Sequence, residues 1–314
     1  MEHLRGTLAF VTAAKYGSFT LAARALDLSP QAVATSIARL ETALGARLFN
    51  RTTRSIALTE EGHAFLTRAE IGLAALEDAA QSVRDKEKSP AGVVRVTAGA
   101  AFGRRYLIPI LPGFQKRFPD VRLDVSFDDR KVDLVRDGFD VAMRGGSIAD
   151  SSLITRRICA LSSVTIASPA YLKKYGVPRV PDDLHAHRII MLRFASGLSM
   201  PWEFRVKGKL LTFDAAAPTL TLSDTELVVD AAAAGMGITR AALHFAWPHL
   251  VAGRLKVVLN AFNEPGAREI VIHYPHREHV APRIKAFVDY ALETLQNDPT
   301  LVTTPKAAAA FAVS

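Results

Sequence analysis

A face of polar side chains with helical spacing lies between residues 31 and 42. Rotation by about 100° per residue places Gln31, Thr35 and Arg39 on one side of a helix, together with Ala38 and Thr42. Short side chains allow close approach, an amide can bond a base edge, and an arginine can bond guanine or phosphate. The combination predicts a helix that enters the major groove of double-stranded DNA.

A second group of basic and hydroxyl side chains follows, between two short apolar runs. Residues 48–49 and 56–58 are typical of strands, and the intervening segment Asn50–Ser55 contains Arg51, Thr52 and Arg54. Such a tip has little use in a protein core, but beside a recognition helix it can contact phosphates or the minor groove. We therefore predict a β-hairpin wing.

The recognition helix has clear start and stop signals. Ser29 is a suitable N-cap, Pro30 suits the first helical position, and Gly45 follows the last turn. Its apolar face comprises Val33, Ile37, Leu40 and Leu44. Helices over residues 4–15, with Leu4, Leu8, Val11 and Ala14 at helical spacing, and 20–26, capped by Ser18 or Thr20, are predicted before it. Short helices are common in all-α proteins too, and the wing favours helix-turn-helix over that alternative.

A longer helix is predicted from Thr59, its N-cap, to about Lys88. Its apolar stripe is Gly62, Phe65, Ala69, Leu73, Leu76, Ala80 and Val83. The stripe could pack on its own domain, but a helix of about 45 Å overhangs a domain of this size. We therefore favour a partner helix from a second subunit, and hence a homodimer or homotetramer.

Composition and charge agree with this interpretation. The chain has 314 residues and a net charge of +8, and residues 1–58 contain seven Lys or Arg against three acidic residues. The N-terminus lacks the apolar run of a signal peptide, and no stretch approaches about 18 consecutive apolar residues. Cys159 is the single cysteine, so no intrachain disulfide is expected. Together these features predict a cytoplasmic protein.

An ordered set of motifs carries a family resemblance. It comprises Gly17-Ser18-Phe19-Thr20, Ala22-Ala23-Arg24-Ala25-Leu26, Leu28-Ser29-Pro30-Gln31-Ala32-Val33, Ile37-Ala38-Arg39-Leu40-Glu41, Arg51-Thr52-Thr53-Arg54 and Leu58-Thr59-Glu60-Glu61-Gly62. This stretch resembles the N-terminal domain of bacterial LysR-type transcriptional regulators. The resemblance implies base contacts from Gln31, Ala32 and Thr35. It also implies backbone contacts from Ser29, Arg39, Arg51 and Arg54, with Thr52 at the same tip.

The rest of the chain alternates predicted strands and helices, which implies parallel sheets. Strands are predicted at 93–98, 121–127, 139–144, 163–167, 189–192, 220–222, 255–259 and 269–274. Helices are predicted at 102–114, 132–138, 225–234 and 282–295, with one opening at 169–172. The motifs Phe102-Gly103-Arg104-Arg105, Phe139-Asp140-Val141-Ala142-Met143-Arg144 and Ala234-Gly235-Met236-Gly237-Ile238 resemble the family's effector domain. That domain has two Rossmann-like α/β subdomains, similar to periplasmic binding proteins, with a ligand cleft between them.

The ends of the predicted strands supply candidate effector contacts. Ligands of open α/β sheets bind at these ends, and the turn Gly99-Ala100-Ala101-Phe102 opens a helix whose free N–H groups would receive an anion. The remaining candidates are Asp128, Asp129, Arg144, Arg193, Ser223 and Gly237. For each of them an ordinary loop position is an equally good interpretation.

Two other classes of function are weaker. His273, His276 and His279, with His185 and His187, could suggest a metalloenzyme, but no cysteine or ordered carboxylate set completes a site; solvated loop histidines fit better, with His187 structural. Cys159 has no evident base and is interpreted as a small buried apolar residue. A solute receptor would suit the second part alone, but not the arginine-tipped wing. We expect no enzyme activity, metal or cofactor.

The predicted organisation is a winged helix-turn-helix domain (1–58), a linker helix (59–90) and an effector-binding domain (91–295). The effector-binding domain divides into subdomain I, about 91–162 and 266–295, and subdomain II, about 163–265. Residues 296–314 are predicted to be a disordered tail. The expected partners are promoter DNA, a small effector for which an anion is a candidate, and a second subunit, with RNA polymerase a further candidate and no membrane.

Overall fold

The computed structural model describes residues 2–51, 56–84, 90–130, 132–146, 153–215, 217–275 and 280–313. The chain divides into two compact units. One comprises residues 1–89 with 135–138, and the other comprises 90–134 with 139–314. Each unit has its own hydrophobic core.

The first unit consists of helices and a two-stranded hairpin. Its helices are α1 (Glu2–Tyr16), α2 (Phe19–Ala25), α3 (Pro30–Leu44) and α4 (Glu60–Arg84), and its strands are β1 (Phe49–Arg51) and β2 (Ile56–Leu58). The two strands pair antiparallel, with Phe49 opposite Leu58. This arrangement confirms the predicted winged helix-turn-helix and the long helix that follows it. Residues 85–88, the predicted last turn of that helix, lie outside the described residues.

α3 forms as its sequence predicts at both ends. The Ser29 hydroxyl accepts a hydrogen bond from the N–H of Ala32 at 3.1 Å, Pro30 occupies the first turn, and Gly45 adopts the left-handed conformation at φ 67°. Leu44 was predicted to be buried and is 43% exposed, because the helix ends there and the chain turns away. The helix buries Val33, Ile37 and Leu40, and also Glu41.

α1 packs mainly through small residues, and not through Leu4 and Leu8, whose spacing predicted the helix. Leu4 and Leu8 are 48% and 44% exposed. A Cβ atom added to Gly6 would lie 2.9 Å from Leu40 Cβ, so α1 and α3 cross in close contact. The buried face of α1 consists of Gly6, Ala9, Phe10 and Ala13. Phe10 then packs on Phe49, with ring centroids 5.0 Å apart, and ties the hairpin to the helices.

The second unit alternates strands and helices. Its strands are β3 (Gly92–Ala98), β4 (Val121–Phe127), β5 (Val141–Gly145), β6 (Leu153–Ala160), β7 (Ser163–Ala167), β8 (Ile189–Leu192), β9 (Trp202–Val206), β10 (Lys209–Phe213), β11 (Leu220–Leu222), β12 (Ile238–Ala242), β13 (Lys256–Val257) and β14 (Glu269–Pro275). Its helices are α5 (Ala100–Phe102), α6 (Ile108–Arg117), α7 (Pro169–Tyr175), α8 (Leu227–Ala233), α9 (Leu243–Val251), α10 (Pro282–Leu295) and α11 (Pro305–Ala308). A π-helical turn at Gly103–Leu107 joins α5 to α6.

The strands form two five-stranded sheets and one separate hairpin. The first sheet has the order β4-β3-β5-β14-β6 and the second has the order β11-β8-β12-β7-β13, while β9 pairs with β10. β3 is parallel to β4 and β5, but β14 runs antiparallel to β5 and β6, and β7 runs antiparallel to β12 and β13. The predicted parallel sheets are therefore mixed. The largest core cluster of this unit contains residues of both sheets.

Several elements after residue 90 differ from the prediction. Residues 134–138 form a turn instead of a short helix, since the segment is short and Gly138 leaves it at φ 75°. Strand β6, the β9–β10 hairpin, β12 and α9 were not predicted. Conversely, α10 spans Pro282–Leu295, as its apolar spacing indicates.

The prediction of a disordered C-terminal tail is wrong for residues 296–313. α11 is capped by the Thr304 hydroxyl, which accepts from the N–H of Ala307 at 3.2 Å. Leu301 and Ala308 are buried in the shared core of the second unit. Small apolar residues of this segment therefore pack into the core, although their spacing in the sequence does not predict a helix.

Candidate nucleic-acid interface and ligand cavity

The predicted recognition surface lies on the exposed side of α3. Gln31, Thr35 and Arg39 are exposed, Ser29 is exposed at the cap, and Ala32 is half-buried between them. The opposite side of the same helix forms the core, so the polar face is oriented outward by packing alone. An open groove beside it is bordered by His3, Thr35, Ala38, Arg39, Leu40, Thr42 and Ala43. This surface can present an amide, a hydroxyl and a guanidinium to one partner.

The hairpin that follows is positioned by a buried carboxylate. Glu41 Oε1 accepts hydrogen bonds from the N–H groups of Leu48, at 2.8 Å, and Phe49, at 3.2 Å, while Oε2 pairs with Arg47 at 3.2 Å. The carboxylate thus ties α3 to the start of β1. Sequence reasoning missed this role, because an acidic residue next to the apolar stripe is normally solvated.

The predicted wing residues fall partly outside the described chain. Arg51 ends β1, where its backbone pairs with Ile56. Thr52 and Arg54, with Thr53 and Ser55, lie outside the described residues. The base of the hairpin is fixed by Thr59, whose hydroxyl donates to the carbonyl of Arg47 at 2.7 Å.

A cavity of about 230 Å³ lies inside the second unit, between the two sheets. Of the predicted effector contacts, the cavity brings together Gly99, Ala101, Phe102, Asp129, Arg144 and Ser223. The strand ends of the first sheet and the loop after β11 therefore converge, as the topology predicts.

The other four predicted contacts are not part of this wall. Ala100 uses its N–H to bond Asp129 Oδ1 at 3.0 Å, and Asp128 pairs with Arg130 at 2.6 Å. Arg193 is exposed and forms an isolated antiparallel bridge with Ser199. Gly237 is buried against the carbonyl of Arg188, where an added Cβ would lie at 2.4 Å. The expectation that the helix N-terminus is open to a ligand anion is thus wrong for the Ala100 N–H.

Arg144 is the best-positioned cation of the cavity. Its guanidinium donates to the hydroxyl of Thr97 at 2.8 Å and to the backbone carbonyl of Asp128. Desolvation by burial lowers the pKa of Arg144, although Asp129 and Asp128 oppose this effect. The two hydrogen bonds therefore fix the orientation of the side chain.

Most of the remaining wall is apolar and was missed by sequence reasoning. The missed apolar residues include Met143, Leu161, Leu192, Phe194, Met200, Val228, Phe245 and Ile270. Arg268 adds a second cation, and Ser163 and Thr225 add hydroxyls. An aromatic cluster backs the wall, where the His244 ring packs on Phe102, Tyr106 and Phe245. Burial lowers the pKa of His244 to about 3, so its imidazole is neutral at physiological pH.

The second unit has two halves, one with the sheet that contains β3 and one with the sheet that contains β12. Ion pairs beside the cavity join these two halves. Glu226, at the start of α8, accepts hydrogen bonds from Arg104 at 3.1 Å and Arg105 at 3.0 Å, both in the π-helical turn. Arg104 also contacts Asp224 at 3.3 Å. The two sides of the cleft are thus connected by charge as well as by the core.

The histidines and the cysteine have structural environments. His273 is fully buried, against the prediction of a solvated loop, and its Nδ1 lies 2.9 Å from the Thr155 hydroxyl. His187 Nδ1 lies 3.3 Å from the Tyr171 hydroxyl, which agrees with a structural role. His276 and His279 lie outside the described residues. Within the described ranges, no group of three or more His, Cys, Asp or Glu could hold a metal ion. Cys159 is buried, and desolvation raises the pKa of its thiol to about 12.

Two family models match the chain and together cover almost all of it. Residues 4–63 match the bacterial regulatory helix-turn-helix protein, lysR family, and residues 87–296 match the LysR substrate binding domain. The chain therefore belongs to the LysR family of transcriptional regulators, with an N-terminal DNA-binding domain and a C-terminal effector-binding domain.

Individual relatives match over at least nine-tenths of both chains. The chain is 32% identical to an HTH-type transcriptional repressor of Pseudomonas aeruginosa (strain UCBPP-PA14), covering 98% of this chain and 97% of the relative. It is also 32% identical to the uncharacterized HTH-type transcriptional regulator YcaN of Escherichia coli (strain K12), covering 90% and 92%.

Solved structures give the same result. The chain resembles CrgA, a LysR-type transcriptional regulator from Neisseria meningitidis, with a TM-score of 0.61, 28% identity, and coverage of 93% of this chain and 98% of that one. It resembles the full-length Vibrio cholerae virulence activator AphB with a TM-score of 0.59, 26% identity, and coverage of 92% and 98%. Among the described helices, none is both long and apolar enough to cross a membrane.

Proposed function

We propose that this chain binds specific promoter sequences and that a small molecule in the cavity of the second unit changes its affinity for them. The observation that carries the DNA part is the orientation of α3. Val33, Ile37 and Leu40 are buried on one side, so Gln31 and Arg39 are left facing outward. A helix buried on its polar side could not serve this function.

The DNA contacts divide by chemistry. Gln31, Ala32 and Thr35 contact base edges, because an amide, a methyl and a hydroxyl can distinguish base pairs in the major groove. Ser29, Arg39, Arg51, Thr52 and Arg54 contact the sugar-phosphate backbone, which positions the helix without reading sequence.

The effector is a small, largely apolar molecule with one anionic group. Arg144 and Arg268 outnumber Asp129 as charged groups of the wall, and most other lining residues are apolar. The volume of about 230 Å³ lies below the range of drug-sized sites, whereas a cavity of about 150 Å³ holds benzene. A single ring or short branched chain carrying a carboxylate therefore fits best.

Coupling between the two functions needs a subunit arrangement that the effector favours. Residues 1–58 would bind DNA, the helix from 59 to 88 would join two subunits, and residues 91–295 would bind the effector. Two recognition helices would then occupy successive major grooves of a two-fold operator. RNA polymerase is the further partner expected at a promoter in the cytoplasm.

The DNA assignment is tested by genome-wide mapping of binding sites, followed by mobility shifts on the sites found. Changing both Arg51 and Arg54 to Ala should weaken binding on every sequence and reduce its salt dependence. Gln31→Ala should instead change sequence preference, at a cost of about 1–3 kcal/mol on the best site. Unaltered affinity and selectivity in all these variants would refute the contacts.

The effector class is tested with benzoate as the probe and benzyl alcohol as an uncharged probe of similar size. Benzoate should raise the midpoint of thermal unfolding of the full chain, with the increase following the logarithm of its concentration above the Kd, and benzyl alcohol should not. Arg144→Gln should abolish the difference. Equal effects of the two compounds on the unmodified chain would argue against an anionic effector.

A further inference from the structure

We infer that the C-terminal strap, residues 298–313, joins the two halves of the second unit and positions the α9 wall of the cavity. The matched family domain ends at residue 296, so the strap lies beyond it. The inference stands apart from the DNA contacts and the effector proposed above, because it rests on packing within the second unit.

The strap begins from the half that contains the first sheet. α10 packs on β3 and β6, with Phe287, Val288 and Leu295 buried. Directly after it, Asp298 Oδ1 accepts hydrogen bonds from the N–H of Thr300 at 2.8 Å and from the Thr300 hydroxyl at 2.5 Å. This turn fixes the direction in which the chain leaves α10.

The strap ends on the other half. The Phe311 ring packs edge-on against Trp247 of α9, with centroids 5.4 Å apart. Ala312 forms a parallel bridge with Val257 of β13, and the N–H of Val313 donates to the carbonyl of Val257 at 3.0 Å. β13 is an edge strand of the second sheet, so the strap covers an edge that would otherwise be open.

A hydrogen bond of Tyr106, beside the middle of the strap, links the two halves at the cavity wall. The Tyr106 hydroxyl donates to the backbone carbonyl of His244 at 3.1 Å. The Thr300 oxygen lies 3.2 Å from the same hydroxyl, while its own proton is donated to Asp298. Tyr106 belongs to the π-helical turn of one half, whereas His244 lines the cavity from α9 of the other. Tyr106 therefore bridges the halves through its own hydroxyl, and Thr300 of the strap lies against that hydroxyl.

The two ends of the strap are fixed to different halves of the second unit. If the two sheets move apart, at least one end of the strap must therefore move or detach. The strap thus acts as a restraint on opening of the cleft. Its loss should loosen α9 and β13 while leaving unchanged β3 and β4, which belong to the other sheet.

The test compares the full chain with a chain ending at residue 296 and with Phe311→Ala. Backbone amides of α9 and β13 should exchange hydrogen at least about tenfold faster in both variants, while β3 and β4 stay as they were. Trp247 is one of two tryptophans, and the other, Trp202, is buried. Trp247 is half-buried in the intact chain, so loss of Phe311 should increase the quenching of its fluorescence by acrylamide. Val302→Ala, at an exposed position of the strap, is the matched control and should match the unmodified chain.

The Tyr106 hydrogen bond is tested separately. Tyr106→Phe keeps the ring but removes the hydroxyl, so exchange should increase at 243–245. If Phe311→Ala left both exchange and quenching unchanged, the strap would not join the halves. If Tyr106→Phe exchanged like the unmodified chain at 243–245, the Tyr106 hydroxyl would have no role in positioning this wall. Phe311→Ala decides the first question if the shortened chain fails to fold.

Discussion

The Asp129 carboxylate accepts a hydrogen bond from the N–H of Ala100 at 3.0 Å, across 29 residues of sequence. The chain therefore supplies its own anion at the helix start where the sequence predicted a ligand anion. The cationic side of the cavity lies instead at Arg144 and Arg268, and a bound carboxylate is expected there.

Asp129→Ala should lower the free energy of unfolding by about 0.5–1 kcal/mol, because the first turn loses a capping acceptor. Asp129→Asn keeps an acceptor oxygen and should lose less. Thermal or urea unfolding measures both. Asp120→Ala, at an exposed position, is the control, and an equal loss there would show that the Asp129 hydrogen bond contributes nothing specific.

Glu41→Ala should destabilise the first unit by about 1–3 kcal/mol and weaken DNA binding. It leaves the N–H groups of Leu48 and Phe49 without their buried acceptor at the start of the hairpin. Glu41→Gln retains that acceptor and should fold and bind nearly as the unmodified chain does. Unfolding and mobility-shift titrations measure the two effects, with exposed Glu70→Ala as control. Full DNA affinity in Glu41→Ala would contradict the positioning role.

Stability should fall as pH decreases from about 6.5 towards 3, partly because of His244. Its folded pKa is lowered to about 3 by burial and by Arg105, which outweigh the opposite effect of Asp298. The unfolded imidazole takes up a proton near pH 6.5, so the unfolded state binds more protons across this window. His244 therefore changes the free energy of unfolding by up to about 1.4 kcal/mol for each pH unit in this window.

His244→Phe should therefore reduce the pH dependence of the free energy of unfolding. At pH 7.5 the free energy itself should change little, because the substitution removes a buried Nε2 that has no hydrogen-bond partner. The slope should shrink rather than vanish, since burial also lowers the pKa of His187, His249 and His273. The control is His63→Ala, at an exposed position. A slope unchanged by His244→Phe would show that this residue is not the source.

Cys159 should not act as a redox or alkylation target in the folded chain. Its thiol is buried, and its pKa of about 12 leaves almost no thiolate at pH 8. A maleimide reagent should label it slowly in native protein and completely in guanidinium. Rapid native labelling at a stoichiometry of one would contradict this environment.

The DNA-binding unit was predictable from sequence because its signals are local. The serine cap, the proline in the first turn and the glycine at φ 67° each act within a few residues of α3. Glu41 was the exception, since the amides that it binds lie seven and eight residues further along the chain.

The cavity was only partly predictable, because its walls come from distant segments. Strand ends gave Gly99, Arg144 and Ser223. Phe245 was missed since the run from Ile238 to Leu250 is so apolar that neither a strand nor a helix period stands out. The strap was missed for the opposite reason: its alanines carry almost no pattern, and contacts such as Ala312 with Val257 exist only in the folded chain.

The place of β14 in the middle of its sheet has a consequence for synthesis. β14 separates β5 from β6, yet it is made more than a hundred residues after them. While the chain emerges from the ribosome, that sheet stays incomplete until nearly all of the protein has been translated, whereas the helices of residues 2–84, which pack on one another, are made first. The nascent regulator can thus have a finished DNA-binding head well before it has anywhere to bind a signal.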